Sequence, residues 1–193
     1  VTITEELKEF FDKKYPRTPK LILPINADYD RIEITNKETG SKNKHIKFVY
    51  SGSYYKFEAV DLVLEAFKNI FKVYDNITLT MTGSVPDEEW NNSKLYAKEL
   101  GILNKIRFAG MIPYQDYVTV IRDADVLLLP RNKNIINDSC FPTKLGEYLA
   151  TGNPIVAGRT KVLEKYLEDE KNIFFFKSGD SQDLENKVIH AIN

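Results

Sequence analysis

The chain has 193 residues, 42% of them hydrophobic, enough for one large domain with a sizeable core and too long to need a disulfide framework. Lys and Arg number 27 against 28 Asp and Glu, a net charge of −1, so no overall field draws the chain to nucleic acid or an anionic membrane. The single cysteine, Cys140, suits a reducing compartment, and a cytoplasmic location is expected. The longest apolar runs, such as Asp125-Val-Leu-Leu-Leu-Pro130, fall far short of a membrane span, and Val1-Thr-Ile-Thr-Glu-Glu lacks the pattern of a secretory signal. Because the chain opens on Val1 and enters an amphipathic pattern at once, it reads as a piece of something longer.

In chain order, Thr4-Glu-Glu-Leu opens a helix through Phe10 and Phe11, and Pro16, Pro19 and Pro24 then interrupt the chain. The dense polar stretch from Asn36 to Lys44 reads as a solvated loop, and a domain boundary is expected in this region. From Lys47 onward, strands and helices alternate. Lys47-Phe-Val-Tyr-Ser-Gly52 reads as a strand, and Val60, Val63, Leu64, Phe67, Phe71 and Tyr74 carry helical spacing. Ile77 to Gly83 and Lys105 to Gly110 read as strands around a helix from Ser93 to Leu100. Tyr114, Tyr117, Val118 and Ile121 line a further helix, Val126 to Leu129 forms an apolar strand, and Leu145, Tyr148 and Leu149 line a helix that stops at Gly152. Ile155-Val-Ala157, a helix near Val162 to Leu167, Ile173 to Phe176 and a last helix from about Asp180 complete the series. Continuous apolar strands alternating with helices predict an α/β fold, a doubly wound parallel sheet covered by helices on both faces.

Ligands of such sheets bind beyond the carboxyl ends of the strands. Four ends here carry small or turn-forming residues: Ser51-Gly-Ser53, Thr82-Gly-Ser84, Ala109-Gly-Met111 and the stretch from Pro130 to Pro142. The last of these leads into Pro142-Thr-Lys-Leu-Gly-Glu. Pro142 suits a first helical position, which predicts that the N–H groups of Thr143, Lys144 and Leu145 point out of the helix mouth, where an anion is favoured. Glu147 lies about a turn further in, off the core face, and its carboxylate can accept bonds from two neighbouring hydroxyls such as those of a ribose. A surface carboxylate near a helix start is the plainer account of Glu147, and glycine turns at strand ends are common in themselves.

Pro142-Thr-Lys-Leu-Gly-Glu-Tyr-Leu-Ala-Thr-Gly-Asn-Pro-Ile-Val156 resembles the donor-site signature of retaining GT-B glycosyltransferases of the group 1, or family 4, class. Phe48 to Ser53 with Val60 to Phe67 resembles the first strand and helix of that family's donor domain, and Leu79 to Gly83, Ile106 to Gly110 and Ala124 to Pro130 resemble its next three strands. The resemblance implies a Rossmann-like nucleotide-sugar-binding domain over residues 41–193. Residues 1–40 would be the tail of an acceptor domain and the interdomain linker, with Leu21 to Asp28 resembling a linker element that has Gly where Ala27 stands here.

Carried over by position, Glu147 would bind the ribose, the backbone of Thr143, Lys144 and Leu145 the diphosphate, and Met111 and Ile112 the base, while Gly52 and Gly83 let loops come close. An acidic residue that often contacts the transferred sugar is replaced by Ser139, with Asp138 beside it, and other catalytic groups are expected in the N-terminal acceptor-binding half. The family's Gly-Arg and Lys-Gly pair is represented by Gly52-Ser53 and Glu58-Ala59. A leaving diphosphate needs a cation, and Lys56, Lys144, Arg131 and Lys133 are the candidates, with Lys56 first because it lies in the same loop.

The implied function is transfer of a hexose or related sugar from a nucleotide-diphosphate donor to a glycan, lipid or small-molecule acceptor, as in polysaccharide biosynthesis. No cofactor or metal is expected. The partners implied are the donor and the acceptor-binding half of the same enzyme, not nucleic acid, with membrane association only through that half, and this chain alone is expected to transfer nothing. Two alternatives stay open: a degenerate nucleotide-binding or structural module, and half of a nucleotide-sugar epimerase. Asp123-Ala-Asp125 precedes a strand, at the wrong end of the sheet for a site, and reads as a turn. His45 and His190 lack companions at metal-ligand spacing, and Cys140 has no candidate base near it in sequence.

Overall fold

The fold is taken from a computed structural model that describes residues 1–23, 27, 29, 32, 45–83 and 87–192. Most of the linker element, the polar stretch 36–44 and Ser84 lie outside the described residues. Six parallel strands form one sheet in the order β3-β2-β1-β4-β5-β6: β1 (Ile46–Ser51), β2 (Ile77–Thr82), β3 (Ile106–Gly110), β4 (Val126–Leu129), β5 (Ile155–Gly158) and β6 (Phe174–Phe176). The chain winds outward from β1 in one direction to β3, then returns past β1 to lay down β4 to β6. The order reverses between β1 and β4, which is where open α/β sheets form ligand crevices.

Eight helices are described: α1 (Glu5–Lys14), α2 (Val60–Val73), α3 (Glu88–Glu99), α4 (Tyr114–Asp123), α5 (Ile135–Ser139), α6 (Lys144–Ala150), α7 (Lys161–Glu164) and α8 (Ser181–Ile192). On one face of the sheet Phe48, Leu79 and Leu128 pack under Val63, Phe67 and Ile70 of α2 and Leu184 and Val188 of α8. On the other, Val49, Leu127 and Leu129 pack under Val118 and Ile121 of α4, Leu145 and Tyr148 of α6, and Val162 and Leu163. Strand residues alternate between the two cores, so β4 and β5, buried along their whole length, are apolar throughout, while β2 carries Thr at every second position. The doubly wound α/β architecture expected from the sequence is the one observed.

Two local expectations are corrected, and one helix, α5, lies where no helix is expected from the sequence. Helix α3 starts at Glu88 rather than near Ser93, because the Asp87 carboxylate accepts the Trp90 N–H at 2.8 Å and caps it. Helix α5 has no apolar periodicity and is set by Asn134, whose side-chain oxygen accepts from Ile136 and Asn137 N–H at 2.9 Å. The helix placed at Val162 to Leu167 is a single turn, Lys161–Glu164. The terminal helix α1 buries none of its residues, and Thr4 ties it to the body by donating its hydroxyl to the Ser139 carbonyl at 2.6 Å. Asp123 and Asp125 flank the turn into β4, where Asp125 accepts the Lys47 N–H at 2.8 Å, as read from the sequence.

Candidate functional site

The loops after β1, β2 and β3 meet at the carboxyl edge of the sheet. Gly83 lies in the left-handed region at φ +102°, and a Cβ there would stand 2.5 Å from the Gly52 nitrogen, so these two glycines set how closely the first two loops approach. Gly52 N–H donates to the Thr82 carbonyl at 2.9 Å and Gly83 N–H to the Gly110 carbonyl at 3.0 Å, continuing the ladder past the strand ends. The Thr82 hydroxyl also donates to Gly110, at 2.5 Å.

Against this edge lies a cavity of about 300 Å³ lined by Ser51, Gly52, Thr82, Gly83, Met111, Ile112, Tyr114, Tyr117, Lys144 and Glu147. Six residues singled out in the sequence therefore converge: Gly52, Gly83, Met111, Ile112, Lys144 and Glu147. Glu147 projects from α6 and is held from α4, accepting the Tyr117 hydroxyl at 2.7 Å and the Tyr114 hydroxyl at 3.3 Å. Each carboxylate oxygen retains a lone pair for a further donor. Burial, with help from Tyr148 and Glu147, pushes the Tyr117 phenol well above its ordinary ionisation, so it is a donor at neutral pH. Behind it the buried Tyr148 hydroxyl accepts the Ser51 N–H at 3.0 Å and fixes α6 to the end of β1.

Lys144 is the one cation lining this cavity among the described residues. Its ammonium occupies the space over Gly52, where a Cβ would lie 2.0 Å from Nζ. It pairs with the Glu58 carboxylate at 3.2 Å and sits 5.3 Å from the centre of the Tyr50 ring. Arg131 Nε lies 4.0 Å from the other Glu58 oxygen, while Nη1 donates to the Cys140 carbonyl at 3.0 Å. Burial lowers the Lys144 and Arg131 ionisations, and Glu58 offsets part of that cost in both.

Other expected site residues stand elsewhere. Lys56, in the 3-10 turn Lys56–Glu58, lines a separate cavity of about 570 Å³ with Tyr54, Tyr55, Tyr96 and Asn132, and is not among the residues that line the Glu147 cavity. Ser53 accepts the Tyr50 hydroxyl through its carbonyl and does not line the Glu147 cavity. Thr143 is exposed in the turn before α6, and the Leu145 N–H is spent on the Pro142 carbonyl at 3.1 Å, so the helix mouth opens later than Pro142 predicts. Asp138 accepts the Lys161 N–H at 2.9 Å and starts α7, and the Ser139 carbonyl holds Thr4. Tyr114 and Tyr117 were legible only as one face of a helix, and their spacing alone does not separate core from site. Among the described residues no group of three or more His, Cys, Asp or Glu is placed to hold a metal ion, and no helix is long and apolar enough to cross a membrane.

Residues 31–193 match the family described as Glycosyl transferases group 1. A phosphatidyl-myo-inositol mannosyltransferase of Mycobacterium leprae is 24% identical over 132 residues, 68% of this chain and 33% of that protein. Among solved structures, Anabaena HepE in complex with UDP and glucose superposes with a TM-score of 0.72 at 15% identity, over 90% of this chain and 47% of that one. The C-terminal domain of a group 1 glycosyl transferase, LpcC of Francisella tularensis, superposes with a TM-score of 0.69 at 16% identity, over 86% of this chain and 88% of that domain. The chain thus spans about a third of the mannosyltransferase and about half of HepE.

Proposed function

Because the chain belongs to the group 1 glycosyltransferases, we propose that it is the donor-binding, C-terminal half of a retaining enzyme that moves a sugar from a nucleoside diphosphate to a glycan, lipid or small-molecule acceptor. The observation that carries this reading is the single cavity in which Glu147, Lys144, Gly52, Gly83, Met111 and Ile112 converge at the carboxyl edge of β1 to β3. The likeness to an isolated C-terminal domain and to a protein crystallised with UDP supports it.

The ribose hydroxyls donate to Glu147, whose oxygens are already aimed by Tyr117 and Tyr114. The base lies against Met111 and Ile112, and the diphosphate reaches the Lys144 ammonium over Gly52. When the bond from the anomeric carbon to the diphosphate oxygen breaks, the negative charge that develops on the leaving group is met by Lys144, held in place before the reaction begins. Lys144 takes the part that Lys56 was expected to play, because Lys56 lines another cavity. The acceptor and the groups that act on it belong to the acceptor-binding half, so this chain by itself binds donor and transfers nothing.

Calorimetric titration of the chain with nucleoside diphosphates and their sugar conjugates tests the reading. One nucleotide family should bind, and Glu147→Ala should weaken it about tenfold or more, since each hydrogen bond to a charged group is worth about 1.5–3 kcal/mol. Absence of binding at millimolar ligand in the complete enzyme as well would overturn it.

A further inference from the structure

The cation of the cavity is partnered by a buried carboxylate. Glu58 is 7% exposed, at the end of the turn that follows β1, and no other carboxylate pairs with Lys144 among the described residues. It ends where Ala59 takes up a left-handed conformation at φ 50°, a backbone arrangement that delivers the Glu58 side chain inward between Lys144 and Arg131. An anion entering the cavity must share the Lys144 ammonium with Glu58, and it does so across protein rather than water, where charges are screened weakly.

The consequence depends on ligand charge. The terminal phosphate of a free nucleoside diphosphate ionises a second time near neutral pH, and esterification to a sugar removes that charge. The product of glycosyl transfer is therefore more negative than the donor at the very phosphate that approaches Lys144. Resting on the donor-pocket reading, we infer that Glu58 is a specificity-determining residue that discriminates by charge, disfavouring the free nucleoside diphosphate relative to its sugar conjugate and so promoting product release. Repulsion from a fixed carboxylate rises with each added ligand charge, whereas a mere positioning effect on Lys144 acts on both ligands alike.

The test compares dissociation constants of UDP with UDP-glucose, and of GDP with GDP-mannose, for the unaltered chain, Glu58→Gln and Glu58→Asp, with thermal melts to confirm folding. Glu58→Gln should tighten the free diphosphate relative to its conjugate by about tenfold, while Glu58→Asp, which keeps the charge, should stay within about twofold of the unaltered ratio. The shift in Glu58→Gln should shrink below pH 6, where the extra phosphate charge is lost. Equal weakening of both ligands, or an unchanged ratio in a folded Glu58→Gln protein, overturns the inference and leaves the donor pocket standing. If no nucleotide binds any of the three proteins, the comparison is repeated in the complete enzyme, and absence of binding there overturns the donor-pocket reading and the inference together.

Discussion

The Tyr117 hydroxyl donates to Glu147 at 2.7 Å, so a residue of α4 fixes the direction of a carboxylate carried by α6 across the mouth of the cavity. Tyr114, a turn earlier on the same helix, reaches the other oxygen at 3.3 Å from a more exposed position. Removing the Tyr117 hydroxyl should free the carboxylate to rotate without changing its charge. Tyr117→Phe is expected to weaken nucleotide binding about three- to tenfold, a loss of about 0.7–1.4 kcal/mol, with Tyr114→Phe costing less. Calorimetry on the two variants checks the order, and equal or absent effects contradict it.

Gly83 combines a left-handed backbone with a Cβ position 2.5 Å from the Gly52 nitrogen, a backbone atom that cannot swing away. Gly83→Ala should therefore destabilise the fold by about 2–4 kcal/mol, part from conformation and part from forcing the two loops apart. Urea unfolding should show the lower midpoint, and nucleotide affinity should fall with it because both loops line the cavity.

Ala59 is a non-glycine residue at φ 50°, ψ 44° with its side chain fully buried. The left-handed conformation costs an alanine about 1–2 kcal/mol that glycine avoids, offset in part by the greater chain entropy of glycine when unfolded. Ala59→Gly should stabilise the protein by up to about 1 kcal/mol, measured by the same unfolding curve.

Burial raises the ionisation of the Tyr50, Tyr117 and Tyr148 phenols above the ordinary value of 10.0. The folded protein keeps these protons when the unfolded chain has lost them, so the stability they contribute is complete below pH 10 and is lost as pH rises beyond it. Each phenol then removes about 1.4 kcal/mol per pH unit. Lys144 acts in the opposite sense, because its ammonium is held below the ordinary lysine value and alkali relieves that burial cost, but one ammonium is outweighed by three phenols. Absorbance at 295 nm should show exposed tyrosines titrating first, and a second cooperative step coincident with loss of far-ultraviolet ellipticity. A single transition with ellipticity intact would contradict the burial of these groups.

All six strands are legible in the sequence to within one residue, because apolar runs such as Val126 to Leu129 admit little else and Ile77 to Thr82 is rich in β-branched residues and is followed by Gly83. Helix α3 is partly hidden, since only Ala97 of its residues is buried and a cap, not a hydrophobic stripe, defines its start. The glycines, Met111, Ile112 and Glu147 are also legible, since each lies at a strand end or in the Pro142 to Val156 stretch. The cation is not. Nothing local shows that the turn at Lys56 directs its side chain to another cavity, or that Lys144 is met by Glu58 from 86 positions away. Long-range pairing of single side chains leaves no periodic trace, and the same holds for the tyrosines that aim Glu147.

The most direct test of the donor-pocket claim is an amide chemical-shift map of the chain titrated with the nucleotide that binds it. The account predicts the largest shifts at Gly52, Gly83, Met111, Ile112 and Glu147, around the 300 Å³ cavity. Shifts centred on Tyr54, Tyr55, Asn92 and Tyr96, around the larger cavity, with the Glu147 edge unmoved, would contradict it.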